Sequence, residues 1–285
     1  MLPILIDFGP IKVYSYGLMI AVGFLISLNL IRRDATRKGF DPDAVETMVL
    51  WTFFWGLAGT RVLYIIMFPE GYSWSDPIGW IAIWRGGLVF QGAVPPAIIF
   101  CFFYLRKKKM NFRKTADLVF PYLPLGHAFG RMGCFLNGCC YGARTDVPWG
   151  VCFRRVPWDI TKEATGSPAF LDHARRYADI SLTDHWSHPV HPTQLYSVFA
   201  LLFFFVVMFY VRKRWHPFDG FLMPLYFVMY GIFRFFVEFL RGDHNPTHFG
   251  SLSDQQIFCI LFVLFALGLF VYFKVTARKP ASSAE

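Results

Sequence analysis

The chain has 285 residues, of which 55% are hydrophobic, 20% aromatic and only 16% charged, a balance well outside that of a soluble globular domain. It reads as an integral membrane protein. Its formal net charge of +9 calls for no nucleic acid, because basic clusters suit the anionic inner leaflet of a bilayer.

Apolar windows of about 20 residues, the length of one hydrocarbon crossing, fall near residues 13–31, 48–68, 87–105, 117–138, 194–211, 220–240 and 255–273. They predict an all-α polytopic membrane protein with about seven transmembrane helices. The opening stretch MLPILIDFGPIKVYSYG lacks the basic start and small-residue cleavage site of a signal peptide, so the first span is expected to stay. In the fourth window, DLVFPYLPLGHAFGRMGCFLNG, two prolines, several glycines, a His and an Arg interrupt the apolar run. Such backbone persists at membrane depth only under the cover of protein or a water-filled cavity.

Residues 1–142 therefore carry spans one to four, 143–193 a polar head segment, 194–274 spans five to seven, and 275–285 a tail. Basic residues follow spans one (Arg32, Arg33, Arg37, Lys38), three (Arg106 to Lys109, Arg113, Lys114), five (Arg212 to Arg214) and seven (Lys274, Arg278, Lys279). Lys and Arg accumulate on the cytoplasmic side. This places the N-terminus outside, the C-terminus in the cytoplasm, and the head segment on the extracytoplasmic face.

Arg61, Arg131 and Arg234 sit inside stretches greasy enough to span a bilayer. A guanidinium at that depth costs about 3 kcal/mol on the insertion scale, so such residues face a protein interior and point to an anionic partner. Tyr230, Arg234, Glu238 and Arg241 recur at i, i+4, i+8 and i+11, one stripe of a helix. By itself the stripe is read equally as a self-neutralising Arg234/Glu238 pair or as a functional wall. In GHAFGRMGCFLNGCCYG, glycines from Gly126 to Gly142 allow close backbone approach. Arg131 and Asn137 among them add donors for an oxygen-rich ligand.

Cys101 and Cys259 lie in apolar spans and read as core residues. Cys134, Cys139, Cys140 and Cys152 remain; the C-x4-C-C cluster matches no standard zinc spacing. Neither metal nor cofactor is expected. Packing is the simplest role for the cluster, with a disulfide or a metal as alternatives.

Together these motifs resemble the prolipoprotein diacylglyceryl transferase family. Its signature, approximately G-R-x-G-N-F-x-N-x-E-x-x-G, aligns with Gly130 to Gly142. Further matches are Y-S-Y-G-L-M (Tyr16, Gly17), G-T-R-V-L-Y (Gly59, Arg61, Tyr64), G-G-L-V-F-Q-G, H-P-T-Q-L-Y (His191 to Tyr196) and Y-G-I-F-R-F-F-V-E-F-L-R. Gly130, Arg131, Asn137, Gly142, Tyr16, Tyr230, Arg234 and Glu238 carry over residue by residue. The chain departs from the pattern at Cys134 and Cys139, which replace Asn and Glu, at Gln91, which replaces a His, and at Ser197, where a Glu is common.

The resemblance implies transfer of the diacylglyceryl unit of phosphatidylglycerol to the lipobox cysteine of a prolipoprotein in the bacterial inner membrane, with release of glycerol 1-phosphate. Charge gathers on the departing phosphate, so buried guanidiniums are the expected source of stabilisation. Arg131 and Arg234 lead, Glu238 orients Arg234, and Tyr16, Asn137 and Tyr230 complete the catalytic set. Arg131, Gly142, Arg61, Gln91, His191 and Arg241 are expected to contact substrate. For Arg61 a pairing with an acid elsewhere stays equally open, and for His191 and Gln194 a helix-start role does. His127 reads as a packing residue or an alternative proton acceptor. Deprotonating a thiol at neutral pH costs only about 2 kcal/mol, so losing the family's His at Gln91 leaves the reaction feasible. Rival classes are an anionic-lipid transporter or flippase, which should show an internal repeat, and a thiol-redox protein, which should show C-x-x-C.

Overall fold

A computed structural model describes residues 4–7, 12–71, 77–81, 87–155, 167–177, 179–242 and 252–277. Gly86 of the G-G-L-V-F-Q-G run, residues 156–166 and 178 of the head segment, and 278–285 of the tail lie outside the described residues. Strands β1 (Ile4–Asp7) and β2 (Lys12–Tyr14) pair antiparallel and lead into α1 (Ser15–Arg37). Next come α2 (Pro42–Met67), the short α3 (Pro77–Ile81), α4 (Val94–Lys107) and α5 (Phe112–Val119). The chain continues through α6 (Leu123–Asn137), α7 (Pro168–Arg176), α8 (Thr193–Arg214), α9 (Leu222–Glu238) and α10 (Asp254–Ala277). The protein is thus predominantly helical. Among the described residues α1, α2, α8 and α10 are long and apolar enough to cross a membrane.

The remaining apolar windows fold into shorter pieces. The third becomes a 3-10 turn at Phe90–Ala93 and the 14-residue α4. The fourth is broken ahead of α6 by a 3-10 turn at Phe120–Tyr122, where Pro121 and Pro124 are fully buried. The sixth is the 17-residue α9, one turn shorter than the polar stripe requires. It stops at Glu238, so Arg241 lies beyond the helix and pairs in an isolated bridge with Gly142.

Two compact units can be distinguished, one of Met1–Ser27 with Val119–Glu285 and one of Leu28–Leu118. In the larger, α8 turns Leu201, Phe204 and Met208 inward onto Ala128, Phe221, Leu222 and Tyr226. Phe199, Phe203, Val206 and Tyr210 on its opposite side are more than 60% exposed. A helix apolar on both its buried and its open faces suits hydrocarbon rather than water. The N-terminal half of α1 packs on α6 where glycines permit it, with Tyr16 against Gly133 and Phe129 against Gly23.

In this unit Tyr141, Phe153, Ala169 and Val190 form a second core, with Phe135 and Val151 packed against it. Ser167 caps α7 by accepting from the Phe170 amide, with Pro168 at the first helical position. Single bridges pair Arg144 and Val151 with Val190, and Arg154 with Trp186. The short polar stretches can fold here because a few large apolar groups, Phe153 and Phe170 among them, are wholly enclosed.

In the smaller unit, Arg32 bridges Asp43 and Glu46 on the surface, and the Tyr104 hydroxyl donates to the Ala44 carbonyl at 2.9 Å. Arg61 is 7% exposed. It donates to the carbonyls of Gly79 (2.5 Å), Gly87 (3.0 Å) and Trp80 (3.1 Å), and its guanidinium lies over the Tyr64 ring. A guanidinium used in this way ties α3 and Gly87 to α2.

Candidate active site

Helices α6 and α9 bring the candidate residues of the larger unit together. Arg131 Nη2 donates to the Tyr230 hydroxyl and Nε to His127 Nε2, both at 3.4 Å. These contacts are long for a guanidinium, whose charge-assisted bonds run nearer 2.8 Å, so most of the fork's bonding capacity is unspent. With its Nε2 accepting from Arg131, His127 presents Nδ1 to the Tyr226 hydroxyl at 3.2 Å. It braces Arg131, and its acceptor nitrogen is occupied. Tyr226 stacks on Tyr230, so the polar stripe of α9 begins one turn earlier than Tyr230, at the same i+4 spacing.

Arg234 Nη1 stands 2.6 Å from Glu238 Oε2, with side chains 12% and 3% exposed. Glu238 Oε1 also accepts from Ser253 Oγ at 3.3 Å. Such a buried pair holds Arg234 in place at a desolvation cost that its Coulomb attraction only roughly offsets. Arg131, Arg234 and Arg241 line one narrow pocket with Cys140, Thr193, Ser197, Tyr230, Phe233 and Val237. Among the described residues this wall holds three guanidiniums, with the Glu238 carboxylate behind one of them. Like charges at low dielectric repel strongly until an anion joins them.

The end of α6 shapes the other side of the pocket. Gly138 takes the left-handed conformation (φ +74°) that closes the helix, and a Cβ there would meet Ser167 Cβ at 2.7 Å. Cys140 is left-handed as well, at φ +60°, an uncommon state for a residue with a side chain. Its carbonyl accepts from Thr193 Oγ1 and that of Cys139 from Gln194 Nε2, both at 2.8 Å. Asn137, the last residue of α6, neighbours Cys139. The Sγ atoms of Cys134, Cys139 and Cys140 all lie within 4.8 Å of one another.

Gly142 is held between two chain segments. Its amide donates to the His191 carbonyl at 2.9 Å, and the Ala143 amide donates to the Leu240 carbonyl at 2.7 Å. A Cβ on Gly142 would sit 2.6 Å from His191 Cβ and from the His191 oxygen. The His191 ring contacts the Tyr196 hydroxyl through Nδ1 at 3.3 Å. Gly142 and His191 thereby fix where Arg241 emerges. Arg61 and the exposed Gln91 belong to the smaller unit.

The family model of prolipoprotein diacylglyceryl transferases matches residues 3–272. The chain belongs to this family. A curated relative from Clostridium tetani, named phosphatidylglycerol--prolipoprotein diacylglyceryl transferase, is 33% identical over 273 residues, covering 95% of this chain and 97% of its own. Relatives with the same name from Stenotrophomonas maltophilia and Nitratidesulfovibrio vulgaris are 33% and 32% identical, each over 98% of this chain and 92% and 97% of theirs. Tyr226, Thr193 and Ser197 are additions to the site; Tyr226 had a sequence signal in its i−4 spacing from Tyr230.

Proposed function

We infer that this chain carries out its family's reaction, moving the diacylglyceryl group of phosphatidylglycerol onto the cysteine thiol of a prolipoprotein. The thiol sulfur attacks the glyceryl carbon and a carbon–sulfur bond forms. The carbon–oxygen bond to phosphate breaks, its electrons leave with glycerol 1-phosphate, and the thiol proton passes to solvent or to the leaving phosphate. The chain is read as a multi-pass protein of the bacterial inner membrane with seven spans, N-terminus outside, and residues 143–193 as its extracytoplasmic head.

The observation that carries this reading is the convergence of Arg131, Arg234 and Arg241 on one pocket. A phosphodiester supplies the anion this wall is built to receive, and the gain rises as charge concentrates on the departing phosphate. Arg131, the least committed donor, grips the phosphate; Arg234, fixed by Glu238, supplies a positioned second cation. Tyr230 holds Arg131 and faces the same space, and Tyr16 and Asn137 flank the end of α6 beside it. Gly142 and His191 set the rim that presents Arg241. For Arg61 the three carbonyl contacts favour support of the backbone at Gly79, Trp80 and Gly87 over contact with substrate.

Purified protein incubated with phosphatidylglycerol and a lipobox peptide is expected to yield a thioether-linked lipid peptide and glycerol 1-phosphate in equal amounts. Movement of intact phosphatidylglycerol between leaflets without either product would overturn the assignment.

A further inference from the structure

The cysteine cluster takes no part in the substitution just described. Its thiols come from the last turn of α6 (Cys134), the residue after the Gly138 cap (Cys139) and the strained left-handed position that follows (Cys140). The chain thus turns sharply enough to face three sulfurs toward one another within 4.8 Å. A metal bonded to three sulfurs at about 2.3 Å in their own plane needs them about 4 Å apart, a spacing within the 4.8 Å limit that the three already keep. Among the described residues this group contains only thiols, with no imidazole or carboxylate. All-sulfur ligation favours the softest ions, copper(I) above all.

Charge points the same way. Three thiolates around a monovalent ion carry a net charge of about −2, and Cys140 shares its pocket with Arg131 and Arg241.

We propose that Cys134, Cys139 and Cys140 form a three-thiolate site for a soft monovalent metal ion of the copper(I) class. Three sulfur–metal bonds form, three thiol protons are released, and no electron is transferred because the metal arrives reduced. One consequence rests on the proposed reaction: the loaded, anionic site draws on Arg131 and Arg241, so it competes with the phosphate of the lipid.

The test uses the full chain in detergent, without oxygen, with copper(I) supplied from a competing chelator. One ion per chain is expected, and X-ray absorption of the wild-type protein should show three sulfurs at about 2.3 Å. Cys134→Ser and Cys139→Ser should each weaken binding at least 100-fold. Fewer than three sulfurs in the wild-type spectrum would overturn the site even if both variants failed to fold. Unchanged affinity in folded variants, tighter retention of zinc(II) than of copper(I), or a disulfide within the cluster in protein purified without reductant would each overturn it too. Affinity and spectrum are read without transfer activity, so failure of the metal site is distinguishable from failure of the proposed reaction.

Discussion

Arg131 and Tyr230 meet across α6 and α9, the guanidinium donating to the phenol oxygen at 3.4 Å. The contact is loose enough to yield to a phosphate oxygen and close enough to keep the guanidinium turned toward the pocket. Arg131→Lys keeps the charge but loses the planar fork. Transfer is expected to fall by roughly 100-fold or more, the usual cost of removing one positioned donor. Gln91→Ala is expected to cost about tenfold or less, since thiol deprotonation is a minor part of the barrier. A reconstituted transfer assay ranks the two.

The Arg234 and Glu238 pair makes a prediction for stability. Glu238→Gln leaves a buried guanidinium without its counter-charge and should cost about 3 kcal/mol. Arg234→Met with Glu238→Leu removes both charges and should unfold later than Glu238→Gln, while being inactive. Thermal unfolding in detergent, combined with the transfer assay, reads both effects.

Two glycines of the signature should respond in opposite ways. Gly142→Ala drives a methyl group into His191 at 2.6 Å and should cost about 1–3 kcal/mol, with loss of activity as the rim shifts. At Gly130 a Cβ meets nothing within 4 Å, so Gly130→Ala should raise the unfolding midpoint through helix propensity. Parallel melting curves decide the contrast.

A third stability effect depends on pH. His173 is 3% exposed, and its Nδ1 accepts the His188 amide at 3.2 Å. Burial holds its pKa below the ordinary histidine value, aided by His188, Arg176 and Arg144 and opposed by Asp172. Between that lowered pKa and about 6.5 the unfolded chain takes up a proton that the folded one refuses. Stability is therefore full above about pH 6.5 and falls as pH drops below it. Asp179, held below the usual carboxylate range by the hydrogen bond from His188, contributes in the same direction only at much lower pH. The protection factor of the His188 amide, its exchange rate corrected for the intrinsic slowing of exchange at lower pH, should fall from pH 7 to pH 5, and His173→Leu should flatten that dependence.

Much of the pocket was legible because helical spacing is rigid. Arg131 with His127, and Tyr230 with Arg234 and Glu238, stand at i+4 and were bound to share faces once α6 and α9 formed. Arg241 was placed on the same stripe by counting, yet the helix stops at Glu238 without a glycine to announce it. Arg241 reaches the pocket through its bridge to Gly142, a long-range pairing that periodicity does not encode. Arg61 was read as a ligand or an ion-pair partner. Its contacts to the backbone carbonyls of Gly79, Trp80 and Gly87 were not foreseen, because carbonyls leave no signature in a sequence. The β1–β2 pair was missed because four residues and three carry too short an alternation to stand out beside a membrane span.

The hydroxyl of Thr193 and the amide of Gln194 tether the start of α8 to the carbonyls of Cys140 and Cys139, three residues past the bridge partner Val190. Two residues lining the pocket, Cys140 and Thr193, are in this way tied to one short stretch of backbone. A shift of Cys139 or Cys140 is therefore transmitted directly to the first turn of α8, and a shift of that turn back to the end of α6.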